Sequence, residues 1–237
     1  MKKMYIIFAA VVLAVSMYAG ELTIGSKDSS CKYAPVYGDQ GDRLFCSQVI
    51  YTAEELSALK DRKITKLAFE QRKLSNNDWS NIRISLKEVD FKAFENTDFV
   101  SIDGATLIFS GTVAGSADVM VEFVLETPFE YHGGNLLLDS RKTEAGGGYS
   151  NTQWRGFYAT EGAAYQVLSG YSSGSSMPET GVRTYARPDV TISYDGPETG
   201  IENVQNGTVQ STKVIENGQL VIIKNGVKYN ALGSILE

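Results

Sequence analysis

Polar and apolar residues alternate most cleanly where Ile82, Ile84 and Leu86 are set between Arg83, Ser85 and Lys87. A period of two predicts a strand with one dry face and one wet face. Residues 64–69 read as a second strand with weaker alternation. Residues 105–113 and 119–125 predict a strand pair joined by a turn at Ala114-Gly115-Ser116. Residues 136–138, 154–159, 164–168 and 190–194 are β-branched or aromatic runs bounded by turn residues, and predict further strands. One short helix is predicted after Thr52. Glu55 stands three residues on, where its side chain reaches back to the Thr52 amide, and Ala53, Leu56 and Leu59 fall on one side. Capping accounts for Glu54 and Glu55 without a catalytic role.

The pattern changes near Asp195-Gly196-Pro197-Glu198. Beyond it, Asn217-Gly218 and Asn225-Gly226 each separate apolar runs. Asn-Gly suits a type I′ hairpin turn, which needs positive φ at both residues. A three-stranded meander over 213–216, 219–224 and 227–232 is therefore predicted. The expected architecture is mostly β: an antiparallel β-sandwich (jelly-roll or Ig-like) over 21–196, then a small C-terminal β unit over 197–237.

At the other end of the chain, Lys2 and Lys3 precede a nearly unbroken apolar run from Ile6 to Met17, and small residues follow at Ala19 and Gly20. That layout is a secretory signal peptide over 1–20. The run is shorter than the roughly 20 residues that span a bilayer. No later stretch is long and apolar enough to cross, so the mature chain is expected outside the cytoplasm without a membrane span. It would lie at the cell surface or in the medium, otherwise in the periplasm.

Charge narrows the partners. The chain has 22 basic and 28 acidic residues, a formal −6. Loss of Lys2 and Lys3 leaves 20 basic residues against the same 28, which takes it to −8. With no Lys/Arg cluster, nucleic acid is not an expected partner. Cys31 and Cys46 have two readings. A bridge in an oxidising compartment would close a loop worth ~3 kcal/mol in the chain-entropy account. The other reading is two buried thiols. Two Cys and the single His do not make a structural zinc site without carboxylates, and no cofactor is expected.

Few residues suggest chemistry. His132 is the single histidine, so a Ser-His-Asp site would need it, and no Gly-x-Ser-x-Gly elbow is present. Gly146-Gly147-Gly148 leads toward a strand rather than a helix, which argues against a phosphate loop. Asp39-Gln40-Gly41-Asp42 lacks EF-hand spacing and reads as a turn. Asn206-Gly207-Thr208 matches the N-glycosylation pattern, which assigns no role by itself. The aromatic residues are more informative. Tyr149, Trp154, Tyr158, Tyr165 and Tyr171 cluster among Gly and Ser, and Tyr149, Trp154, Tyr158 and Tyr171 are the candidate ligand-binding residues. Each combines an apolar face with a polar handle. Trp154 and Tyr158 are four apart, on one face of a strand, where filling the core is the simpler reading.

Several stretches match a known repeat in order and spacing: Pro35-Val36-Tyr37, residues 47–56, 63–69 and 82–86, Phe109-Ser110-Gly111-Thr112-Val113, and residues 128–138 with Pro128-Phe129-Glu130-Tyr131-His132-Gly133-Gly134. Together they resemble a β-sandwich repeat of secreted and surface proteins of Bacteroidota. The resemblance implies a module with no assigned catalytic residues. Residues 213–233, with the lead-in Thr199-Gly200-Ile201-Glu202-Asn203, resemble the short C-terminal segment of exported Bacteroidota proteins. Longer relatives of that segment are type IX sorting signals, which continue through further strands. This chain ends four residues past Gly233. The resemblance implies contact with secretion machinery through the tail.

The functional expectation is a non-catalytic secreted or surface module that binds a glycan or a surface protein. The alternatives are a secreted glycoside or peptide hydrolase using a carboxylate pair, and a structural subunit of a surface assembly.

Overall fold

The computed structural model describes residues 19–38, 43–73, 78–114, 118–146, 153–158, 164–195, 211–216, 219–224 and 227–229. The chain divides into two compact units, 1–198 and 199–237. The first is an antiparallel β-sandwich. One sheet holds β1 (Ala19–Ile24), β13 (Val190–Asp195), β4 (Arg62–Lys73), β9 (Gln153–Tyr158) and β12 (Ala186–Pro188), with β2 (Ser29–Cys31) on β9 and β7 (Met120–Tyr131) on β4. The other runs β11 (Val182–Thr184), β10 (Val167–Ser172), β3 (Leu44–Tyr51), β8 (Asn135–Lys142), β5 (Trp79–Val89), β6 (Thr106–Val113). Every named pairing is antiparallel.

The alternation in β5 holds for its dry face and only in part for its wet one, where Ser85 is buried and Lys87 half-buried. Ile82, Ile84 and Leu86 enter the inter-sheet core and Arg83 faces water. Ile64, Leu67, Phe69, Phe123 and Ile192 meet them from the opposite sheet. Strands β3 and β8 do not alternate, because both of their faces are covered. Phe45, Val49 and Tyr51 point into the core, while Cys46, Gln48 and Ile50 lie on the outer face. A strap over residues 90–105 crosses that outer face. Phe94 of the strap, with Ile50, Val89, Leu137 and Leu168 of the sheet, forms a second apolar cluster. Gln48 fastens the strap by accepting from the Val100 amide (2.9 Å) and donating to the Val100 carbonyl (2.8 Å).

Two local expectations change. The segment after Thr52 is not an α-helix but a run of turns ending in a 3-10 turn at Ser57–Leu59. Its capping contacts do form: the Thr52 amide donates to Glu55 Oε2 (2.9 Å), and the Glu55 amide donates to Thr52 Oγ1 (3.3 Å). Glu55 has a second task that local sequence did not indicate. It ion-pairs with Arg187, which is 2 % exposed, lies over the Tyr51 ring and donates to the Ile50 carbonyl. Burial raises the Glu55 carboxyl, but the Arg187 contacts outweigh it and hold the group below its usual range. From this turn Leu56 and Leu59 both reach the core while Glu55 reaches Arg187.

The disulfide reading of Cys31 and Cys46 is corrected: both thiols are free and buried. Cys31 lies in the inter-sheet core, where its thiol donates to the Ala186 carbonyl. Cys46 lies on the outer face of the other sheet, 3.6 Å from Asp139 Oδ2. A sheet separates them, and strand alternation prevents either from turning through it. Burial pushes the Cys31 thiol up to about 11, and burial together with Asp139 raises Cys46 as well.

The C-terminal unit is the predicted three-stranded meander, β14 (Ser211–Glu216), β15 (Gln219–Lys224) and β16 (Val227–Tyr229). Glu216↔Gln219 and Lys224↔Val227 close the two hairpins around the Asn-Gly dipeptides.

One buried acid sets a pH dependence. Asp189 sits between β12 and β13, 5 % exposed, and neither carboxylate oxygen has a hydrogen-bond partner of good geometry. Gly25 closes against it at φ 123°; a Cβ there would stand 1.7 Å from Asp189 Oδ1. Burial pushes the Asp189 carboxyl up to about 6, against the opposing Lys27 amide and ammonium. A raised acid binds its proton more tightly in the folded chain. Its stabilising contribution is therefore complete below the unfolded value of about 3.9 and is lost as pH rises through about 6. Asp189→Asn should raise the melting temperature at pH 8, and the gain should fade by pH 4. Thermal melts of both chains across that range check this.

Candidate binding surface

The predicted aromatic cluster does not assemble as one surface. Trp154 is fully buried: it stacks on Trp79 at 6.1 Å, meets Phe69 edge-on, and donates its indole N–H to the Val36 carbonyl at 2.9 Å. Strand β9 turns it inward, so core packing replaces the ligand-binding reading at this position. Tyr158 ends β9 opposite Ala186; its side chain, like the whole of Tyr149, lies outside the described residues. Residues 39–42, 147–148 and 206–208 lie outside them too.

Tyr171 stays at the surface, 42 % exposed. It pairs with Phe45 near the end of β10. Tyr37 meets its ring edge-on at 5.8 Å, and the Arg43 guanidinium sits 5.2 Å over the ring. One face of Tyr171 is thus already occupied by a cation.

A better platform lies where the chain enters and leaves the β10–β11 pair. Tyr165 and Tyr185 stack with centroids 4.3 Å apart and planes inclined by 19°. Arg183 of β11 lies 4.5 Å from the Tyr165 centroid, so Tyr165 contacts both. Arg183 Nη1 also donates to the Phe94 and Glu95 carbonyls of the strap, at 3.2 and 2.6 Å. The Phe94 amide donates to the Tyr165 carbonyl (2.8 Å), and the Gly181 amide to the Thr97 carbonyl (2.8 Å). The stack is therefore fixed on a rigid sheet edge, and Tyr185 remains 38 % exposed. Tyr185 and Arg183 were not found from the sequence. Arg183 lies in the three-residue strand β11 and Tyr185 just past its end, and nothing in that spacing shows that Tyr165 comes alongside.

Among the described residues, the His132 side chain meets Glu88 and no serine. Its ring Nδ1 lies 2.9 Å from Glu88 Oε1, and Glu88 also accepts from the His132 amide (2.9 Å) and the Gly134 amide (2.7 Å). Burial raises the Glu88 carboxyl, but those donors outweigh it and hold the group below its ordinary range. Glu88 thus clamps the β7–β8 turn, where Gly133 has φ 108°. An open groove of about 520 Å³ runs beside this clamp, lined by Lys87, Asp103, Pro128, Phe129 and Glu130 among others.

Among the described residues, no group of three or more His, Cys, Asp or Glu side chains is placed to hold a metal ion. No helix among them is long and apolar enough to cross a membrane.

Comparison with known proteins returned no matching family, curated protein or solved structure.

The two aromatic positions should respond differently to truncation. Trp154→Ala should cost ~3–5 kcal/mol of folding stability, whereas Tyr171→Ala should stay within ~1 kcal/mol. Urea unfolding of each variant decides this.

Proposed function

We propose that this chain is a non-catalytic, exported β-sandwich module that binds a surface protein or glycan. The contact surface is the β10–β11 edge, around Tyr185, Tyr165 and Arg183. The observation that carries the reading is the stacked Tyr165–Tyr185 pair, backed by Arg183 and left open on Tyr185. A pre-stacked aromatic on a rigid edge loses little conformational entropy when a ligand covers it. The stack also touches the strap, so one face of the sandwich combines aromatic and loop contacts.

Export and sorting belong to the same proposal. The signal-peptide layout at 1–20 and the likeness of 213–233 to Bacteroidota sorting segments support delivery to the cell surface, with the β14–β16 meander as the part read by secretion machinery.

The test has two arms. In a Bacteroidota host with type IX secretion, the full chain should reach the surface or medium, and a chain lacking 197–237 should stay in the periplasm. Equal distribution of the two would remove the sorting role. The purified chain is then screened against arrayed glycans and outer-surface proteins. Tyr185→Ala should weaken any captured ligand about tenfold or more, the scale of a hot-spot aromatic, with the melting temperature unchanged. A ligand indifferent to Tyr185→Ala and Arg183→Ala would place the binding surface elsewhere.

A further inference from the structure

The strap does more than cover the sheet. Between residues 91 and 100 it curls around a cavity of about 280 Å³. Phe91, Phe94 and Val100 supply apolar walls, and the two rings lie 6.3 Å apart. Glu95 and Asp98 are the charged side chains among its lining residues, and both are exposed. Neither carboxylate has an ion-pair or hydrogen-bond partner among the described residues; the nearby Asn96 Oδ1 accepts from the Asp98 backbone amide, not its side chain. Lys87 reaches the strap at the Ser101 carbonyl, Lys92 belongs to it, and Arg183 reaches it at its middle. The Arg183 guanidinium is taken by the Phe94 and Glu95 carbonyls and by the Tyr165 ring.

The cavity is also held open from both sides. Gln48 fixes Val100, Tyr165 fixes Phe94, and Asp98 bridges to Thr180. A partly apolar lining beside two solvent-facing carboxylates that make no ion pair complements a long aliphatic stem that ends in a positive charge. A compact ammonium can lie between carboxylates on separate loop positions, whereas a guanidinium prefers to pair side by side with one. The cavity adjoins the Tyr165–Tyr185 edge through Phe94, so a chain lying on that edge can drop one side chain into it.

We propose that this cavity receives a lysine side chain of a partner polypeptide, its stem against Phe91, Phe94 and Val100 and its ammonium between Glu95 and Asp98. This rests on the β10–β11 edge being the binding surface, and it names the partner there as a polypeptide rather than a neutral glycan.

The probe is Nα-acetyl-lysine N-methylamide, titrated into the isotope-labelled full chain and followed by amide chemical shifts. The norleucine analogue, which keeps the stem and lacks the charge, is the control. The expected result is saturable, millimolar binding, with shifts confined to 91–100. Binding should weaken about tenfold or more in the Glu95→Gln/Asp98→Asn double variant and fall with added salt. Both substituted positions are exposed, so unchanged amide shifts elsewhere confirm the fold. Equal binding of norleucine, shifts outside the strap, no response at all, or no loss in the double variant would each overturn the proposal. The two readings fail separately. Capture that depends on Tyr185 without a lysine response keeps the edge and removes the pocket. A lysine response with capture indifferent to Tyr185→Ala keeps the pocket and removes the edge.

Discussion

Strands β3 and β8 carry side chains that need cover on both faces, and much of the molecule follows from that requirement. The inter-sheet core covers one face. The other would expose Ile50, Leu137 and Leu168 to water if the chain went directly from β5 to β6. The 90–105 strap removes that surface, at ~25 cal/mol for each Å² of apolar area taken from solvent. The strap must also satisfy its own polar groups, since a covering loop has no ladder of its own. Gln48 meets both backbone groups of Val100, and Arg183 accounts for two strap carbonyls. The same bonds that hold the cover in place make the Tyr165–Tyr185 edge and the strap cavity rigid.

Buried charge follows a parallel rule. Arg187 and Glu55 enter a covered site together, and Arg187 gains the Ile50 carbonyl and the Tyr51 ring as further partners. Asp139 is 2 % exposed and is answered by Arg141 and Gln48. Asp189 is the exception, with Gly25 closed on it and no well-aligned donor. A desolvated carboxylate with no well-aligned donor shifts toward its neutral form, so this position weakens the fold as pH rises through about 6.

The aromatic residues show why local clustering is a weak guide to a surface. Trp154 and Tyr171 lie near each other in sequence, yet one fills the centre of the sandwich and the other caps an edge with Arg43. Tyr165 and Tyr185 lie farther apart, yet their rings stack. Chain distance says which residues share a strand. Strand order and crossing loops decide which side chains meet.

What the sequence determined by itself is what depends on short-range physics. Period-two alternation placed β5, because a half-buried strand must alternate. The Asn-Gly pairs placed the C-terminal hairpins, because a type I′ turn needs positive φ at both central residues and few other dipeptides accept that. The capping pair at Thr52 and Glu55 was also legible, since both partners lie within one turn. The rest needed the assembled sheets. Strand β3 had no alternation to reveal it, because the strap gives it a second interior. Cys31 and Cys46 are close in sequence but sit on opposite sides of a sheet, and only strand order places that sheet between them. Arg187 is polar at a fully buried position because Glu55 arrives from far along the chain. The Tyr165–Tyr185 edge and the strap cavity are likewise tertiary: the edge joins residues from separate segments, and the cavity, lined within 91–100, takes its shape because the strap had to cover one sheet face.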